Sequence, residues 1–297
     1  MRIVVVNHAP SFSIVPKLIE RTRGKHTIAT TCSVVGAENW DLFRRLDPNI
    51  VFCDWAVANA AALSFELCKL PKNIPLVVRL HGYESHDAYL RRVNWKFVDR
   101  LVTVSPWFER LLKRKIGDKV EVVRIENGVD LERFKIKPEV AVNKKSVAWV
   151  GYLNQKKGPA LLRFVAASLP ETQFDVAGKV QCENTGRLLA ESPANLKLVG
   201  WVDPAEFLPR HAWIMSTSVT ESFSYAIAEG MACGLTPLVH AWPGAAELWP
   251  PECCWHSMDE LKSIELKDPE WCRRWVIDRY SADAQIDKFI ALFESLV

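Results

Sequence analysis

Metal-binding and membrane-spanning signatures are both missing from this chain. Eight cysteines and seven histidines are present, yet no cysteines stand as Cys-x-x-Cys and no histidine cluster completes a zinc site. Cys253 and Cys254 are adjacent and the rest are scattered, the usage of reduced core thiols rather than of a disulfide framework. No apolar run approaches the roughly 20 residues of a membrane span. The richest, Ala56 to Leu67, contains Asn59 and Ser64 and reads as a buried helix. Met1-Arg2 leads straight into Ile3-Val4-Val5-Val6, and Asn7-His8 ends that run too early for a secretory leader. No Asp-x-Asp occurs, the usual device for holding a metal on a diphosphate. No glycine-rich cradle follows the first strand either, where the chain reads Asn7-His8-Ala9-Pro10-Ser11. The expectation is a cytoplasmic protein that works without a metal or a resident cofactor.

What is present is the balance of a globular protein of two domains: 297 residues, 49% hydrophobic and 25% charged. The net charge of +3 is unevenly placed. Residues 1–140 hold 23 Lys+Arg against 16 Asp+Glu, and the rest hold 15 against 19. A basic half beside an acidic half points to an anionic partner for the first domain.

Short apolar runs alternate with amphipathic stretches. Strands are expected at Arg2–Val6, His26–Thr31, Ile50–Cys53, Leu76–Leu80, Leu101–Val104 and Val120–Ile125. Helices Ser13–Arg23, Asn39–Leu46, Trp55–Leu70, Ala88–Phe97 and Pro106–Ile116 fall between them. Near-continuous Val/Ile/Leu runs are buried on both faces, so the sheet should be parallel with helices on each side. Glu126-Asn127-Gly128-Val129-Asp130 is a turn signal, and the Lys- and Pro-rich stretch Phe134 to Ser146 reads as a linker. The alternation restarts with strands Val147–Val150, Gln173–Ala177, Leu196–Val199, Trp213–Ser216 and Thr236–His240, and helices that include Pro159–Ser168 and Phe223–Cys233. The tail, Asp268–Val297, is amphipathic and helical. The expected domains are 1–134, 135–267 and a helical tail 268–297 that packs back on the first domain. Two such α/β halves place ligands at the carboxyl ends of their strands, on either side of a cleft.

The segment richest in chemistry runs from Ser216 to Pro237 and contains Glu221-Ser-Phe-Ser-Tyr-Ala-Ile-Ala-Glu229-Gly-Met-Ala-Cys-Gly234. A helix that opens at Ser222–Phe223 offers unpaired N–H groups and a partial positive charge, which suit a phosphate. Glu229 lies eight residues after Glu221. On a helix that separation is about 12 Å of rise and about 80° of turn, so one carboxylate would stand near each end of a phosphate at the helix start. Carboxylates accept hydrogen bonds from vicinal hydroxyls, so the layout fits a sugar at one end and a ribose at the other. The bland alternative is an acidic first turn followed by a solvated glutamate on an ordinary helix.

The complete string resembles the signature of glycosyltransferase family 4, retaining enzymes of the GT-B fold with the motif E-x-F-G-x-x-x-x-E-A-M-A-x-G-x-P. It departs at Ser224, Gly230 and Thr236, and Pro237 stands one place on. The resemblance implies that Glu221 contacts the donor sugar and Glu229 holds the ribose. It implies a donor-binding helix start at Ser222, Phe223 and Ser224. Asn127-Gly128-Val129-Asp130 with Phe134 matches N-G-V-D-x-x-x-F, and Gly151-Tyr152-Leu153-Asn154-Gln155-Lys156-Lys157-Gly158 looks like G-R-L-x-x-x-K-G. Lys157 aligns with the diphosphate-gripping lysine, with Lys156 beside it, but Tyr152 replaces the arginine. His81-Gly82 resembles the H-G whose histidine meets the donor sugar, and Pro243 to Glu247 resembles the G-G-x-x-E loop of the donor side. The glycine pair that the family often has after the first strand is absent, so the acceptor end is unusual.

Such an enzyme would move a sugar from a nucleotide-diphosphate donor with little protein acid–base chemistry. The acceptor is open among a glycan, a lipid-linked precursor and nucleic acid. Residues 91–119 carry nine Lys+Arg against three Asp+Glu. Helix Pro106–Ile116 could therefore lie on anionic lipid at the inner membrane face or meet nucleic acid, or it could be a core helix with a solvated basic side. Three competing functions stand beside the main reading. One is an epimerase of the same fold. Another is an inverting transferase with Asp54 or His8 as base. The third is a catalytically silent nucleotide-sugar-binding subunit.

Overall fold

The computed structural model describes residues 1–7, 14–32, 43, 45–55, 57–70, 73–85 and 87–297. His8 with its loop, the start of the helix expected from Ser13, and most of the helix expected over Asn39–Leu46 lie outside these residues. The chain forms two compact units, Met1–Glu126 with Asp283–Val297, and Asn127–Ala282.

In the first unit six strands form one sheet: β1 (Arg2–Asn7), β2 (Thr27–Thr31), β3 (Ile50–Asp54), β4 (Leu76–Arg79), β5 (Arg100–Thr103) and β6 (Glu121–Arg124). Their order is β2-β1-β3-β4-β5-β6 and every pairing is parallel. Burial on both faces follows from the sequence: Ile3, Val5, Phe52, Val77 and Val102 pack with Ile286, Phe289 and Phe293 of the last helix, Ala282–Glu294.

The second unit has β7 (Asn143–Val150), β8 (Gln173–Ala177), β9 (Leu196–Gly200), β10 (His211–Ser216), β11 (Thr236–His240) and a two-residue β12 (Cys254–Trp255). The order is β12-β11-β10-β7-β8-β9, again all parallel. Counted from β7, this is the doubly wound Rossmann order, whose direction of winding reverses between β7 and β10. The first unit reverses between β1 and β3 in the same way. In such sheets ligands bind outside the carboxyl ends of the strands at the reversal.

The tail does not behave as one piece. Helix Pro269–Tyr280 belongs to the second unit and only the last helix belongs to the first. Arg273 explains the division: its guanidinium donates to the carbonyls of Phe134 (2.8 Å), Ala232 (2.8 Å) and Leu131 (3.0 Å), clamping that helix where it starts. The passage between units falls at Glu126/Asn127, ahead of the Phe134–Ser146 stretch. Asn127–Val129 is tied to the end of the same helix, with Val129 N–H donating to Tyr280 O at 2.7 Å.

Gly230, where the motif has alanine, lies on helix Tyr225–Ala232 directly over β10. A β-carbon there would stand 2.7 Å from the Ile214 side chain. Gly230→Ala is therefore expected to destabilise the protein by about 1–3 kcal/mol despite alanine's helix preference. Urea unfolding checks this, and an unchanged or raised midpoint would show that the helix can lift away at no cost.

Candidate active site

The carboxyl ends of β7 and β10 meet at the winding reversal of the second unit. The chain leaves β7 through Gly151, turns through a 3-10 segment Gln155–Lys157, and enters helix Pro159–Ser168 at Gly158. Asn154 caps the 3-10 turn by accepting from Lys157 N–H at 3.3 Å, and its amide donates to Gln181 at 2.7 Å. Gly158 sits in the left-handed region at φ 63°, and a β-carbon there would lie 2.1 Å from the Thr217 carbonyl. No side chain fits at that crossing.

Further bonds stitch the two loops together. Thr217 Oγ1 donates to Lys157 O (2.8 Å), Val219 N–H donates to Lys156 O (3.0 Å), and Trp149 Nε1 donates to Thr217 Oγ1 (3.2 Å). His240 Nδ1 meets Ser218 O at 3.0 Å from the β11 side. The stitching places the Lys157 ammonium on the Glu221 carboxylate, which also accepts from Ser218 Oγ at 3.0 Å. Glu221 is only 9% exposed. Burial pushes the neighbouring Lys156 ammonium below its ordinary range, with Glu221 pulling it up and Lys157 pushing it further down.

The structure thus brings Gly151, Lys156, Lys157, Glu221 and Ser222 to one strand edge. Phe223 is different. Its ring is buried against Tyr225, Trp249 and Tyr280, so only its backbone faces any ligand duty. The helix opens later than expected, at Tyr225 with Ser224 as N-cap (φ −121°), because Glu221–Ser224 is not helical. The helical rise between Glu221 and Glu229 therefore does not apply, and only the stretch from Tyr225 onward is helical. Glu229 instead neighbours a charged pair, Arg133 and Asp203, bonded at 2.9 Å. Burial raises its pKa to about 8, against the pull of Arg133 and with a push from Asp203.

Sequence reasoning missed an aromatic pair. Trp201, directly after Gly200 at the end of β9, is 73% exposed, and its ring meets Tyr152 at 5.8 Å. The only signal was a tryptophan after a strand-ending glycine. In the sequence Tyr152 stands out solely as the replacement of a cation.

In the first unit, His81 follows β4 and is buried. Its ring stacks on Trp55 at 3.9 Å and 14°, and the His81 backbone N–H donates to Glu84 Oε2 at 2.8 Å. Trp55 holds φ 61°, a conformation that costs a non-glycine residue about 1–2 kcal/mol. Arg79 forms a fork on Asp54 (2.7 and 2.8 Å), and both side chains are fully buried. Burial drives the His81 pKa to about 4; Arg79 acts in the same direction, and the bond and charge of Asp54 oppose them. Burial also pushes the Asp54 carboxyl up, but Arg79 and the hydrogen bond from His81 more than reverse it. Among the described residues no group of His, Cys, Asp and Glu is arranged to hold a metal ion, and no helix is long and apolar enough to cross a membrane.

Residues 34–133 match the family model described as Glycosyltransferase Family 4, and residues 144–254 match the one described as Glycosyl transferases group 1. No curated protein matches the chain by sequence. Among solved structures, the chain is similar to a sucrose-phosphate synthase from Thermosynechococcus elongatus (TM-score 0.81, 15% identity, 99% of this chain and 98% of that one). It is also similar to Anabaena Alr3699/HepE, solved in complex with UDP and glucose (TM-score 0.77, 14% identity, 99% and 100%). A third is a glycosyltransferase from Rickettsia africae (TM-score 0.75, 16% identity, 99% and 98%). The fold is GT-B, two Rossmann-like units, and the two family models support a glycosyltransferase of that type.

Glu229 yields a stability test. Its folded pKa, about 8, lies above the ordinary 4.5, so the folded state binds more protons between those values and loses stability as pH rises through that window. Glu229→Gln is expected to raise the melting temperature relative to wild type at pH 8, with a smaller advantage at pH 5. An advantage that does not grow with pH would mean the carboxyl is not perturbed.

Proposed function

We propose that the protein is a retaining, metal-independent glycosyltransferase that takes a hexose from a nucleotide-diphosphate donor. The observation that carries this reading is the Lys157–Glu221 pair at the winding reversal of the second unit. A buried-edge ammonium there offsets charge on the leaving diphosphate, and the adjacent carboxylate accepts hydroxyls of the sugar. Gly151 leaves the strand end open beside Lys157. The exposed Trp201–Tyr152 pair at the same edge offers flat surface for a nucleobase, and Glu229 offers a carboxyl group, its pKa raised to about 8 by burial, for the ribose hydroxyls. HepE, with the same fold, was solved with UDP-glucose, which makes a uridine donor the first to try.

His81, at the carboxyl end of β4, is assigned a contact with a hydroxyl of the sugar. Of the two bases that inversion could recruit, His8 lies outside the described residues, and Asp54 is buried and forked by Arg79, which supports retention. The leaving phosphate then takes the acceptor's proton on the same face, and the protein orients and screens charge. For the acceptor, helix Pro106–Ile116 is informative. Trp107, Arg110, Leu111 and Arg114 line a surface concavity of about 290 Å3, a mix of cation and ring that suits an anionic carrier at a membrane face better than nucleic acid. Tyr152 in place of a cation favours the one alternative, a nucleotide-sugar-binding subunit without activity.

The test is a panel of UDP-, GDP- and ADP-hexoses, following nucleoside diphosphate release with and without phosphatidylglycerol vesicles carrying a polyprenyl-phosphate acceptor. One donor should turn over slowly in water and faster with vesicles, and the product should keep the donor's anomeric configuration. Lys157→Ala and Glu221→Ala should each lose about 100- to 1,000-fold in turnover with the fold intact. Near-normal turnover in either variant contradicts the site, and binding without turnover of any donor supports the silent subunit.

A further inference from the structure

The buried charges of the first unit are more than any packing need explains. Asp54 ends β3, on the carboxyl side of the winding reversal between β1 and β3, where this class of sheet places its ligands. Its carboxylate is fully buried, and Arg79 donates from Nε to Oδ1 at 2.7 Å and from Nη2 to Oδ2 at 2.8 Å. A buried pair of this kind contributes little net stability compared with apolar residues of the same volume. What distinguishes it is a third partner: the same Oδ1 lies 3.4 Å from His81 Nε2.

We propose that Asp54 is a positioning residue that holds His81 with its proton on Nε2, which leaves Nδ1 as a bare acceptor for a hydroxyl of the sugar being transferred. The inference rests, for its sugar, on the function proposed above; its tautomer claim stands on the first unit alone. An ionised carboxylate only accepts hydrogen bonds, so the contact exists only if Nε2 carries the hydrogen. A neutral imidazole with Nε2–H has its lone pair on Nδ1. Burial keeps the ring neutral. Two other contacts fix it in place: the Trp55 ring stacked at 3.9 Å sets its plane, and the bond from His81 N–H to Glu84 Oε2 at 2.8 Å sets its backbone. Arg79 cancels the carboxylate's charge, so Asp54 orients the ring without charging it.

The device has a chemical consequence. An imidazole held this way selects a donor that presents a hydroxyl hydrogen at that position. A sugar lacking that hydroxyl, a deoxyhexose for instance, loses the contact and leaves a buried acceptor unpaired.

The experiment is nitrogen-15 spectroscopy of the full chain labelled at histidine, at pH 7.5, with the His81 signals assigned from their loss in His81→Gln. The Nε2–H tautomer is expected in wild type. In Asp54→Asn, and in Asp54→Leu/Arg79→Met should the single variant unfold, the tautomer should become mixed. kcat should fall by up to about 100-fold while donor KM stays within about twofold. A wild-type His81 with its proton on Nδ1, or doubly protonated, overturns the proposal. So does a folded variant without the Asp54 carboxylate that keeps both the wild-type tautomer and kcat. If no donor is turned over by wild type, the functional reading fails, and the spectra still decide the role of Asp54.

Discussion

Where Gly158 crosses the end of β10, the backbone of one loop lies against the Thr217 carbonyl of the other with no room for a β-carbon. The candidate donor site depends on that crossing. It fixes the 3-10 turn that carries Lys156 and Lys157, and the Thr217 and Val219 bonds hold the neighbouring loop in register with it. Lys157 and Glu221, distant in sequence, then meet at a nearly buried edge where an ion pair is worth more than in water. A lysine on a free loop would be a solvated charge. Here it is a placed one.

Both units follow one rule with different chemistry. Each is a parallel sheet whose winding reverses once, and each gathers its polar side chains at the carboxyl ends beside that reversal. The second unit has a lysine, glutamates and an exposed aromatic pair, a combination for anionic and flat ligand parts. The first has a neutral histidine backed by a self-cancelling Asp–Arg fork. The strained backbone of Trp55 sits among these groups, where stored strain usually accompanies a functional constraint.

Much of the fold is legible in the sequence because burial on both faces writes strands as unbroken apolar runs, as at Ile3–Val6 and Val147–Val150. Gly151, Lys156, Lys157 and Glu221 lie at the carboxyl ends of β7 and β10, where the strand pattern around them points, whereas the helical spacing expected between Glu221 and Glu229 does not hold. What escaped has physical reasons. Cys254–Trp255 is too short to show a period, so β12 was missed. The sequence pattern opens the helix at Ser222–Phe223, but it begins only at Tyr225, after its Ser224 cap. The tail reads as one amphipathic stretch, and only Arg273's three carbonyl contacts reveal that its two helices serve different units. Asp54 and Arg79 lie in different strands, and nothing local in either signals a fork. Trp201 has no periodic partner, so only its exposure marks it.

The central claim is that the Lys157–Glu221 edge receives a diphosphate. A crystal structure of the protein with whichever of UDP, GDP or ADP raises its melting temperature most tests this directly. The account predicts a phosphate oxygen within about 3.2 Å of Lys157 Nζ, beside Glu221 and at the mouth of the Gly151 turn. A nucleotide bound elsewhere, with the Lys157–Glu221 pair untouched, would contradict it.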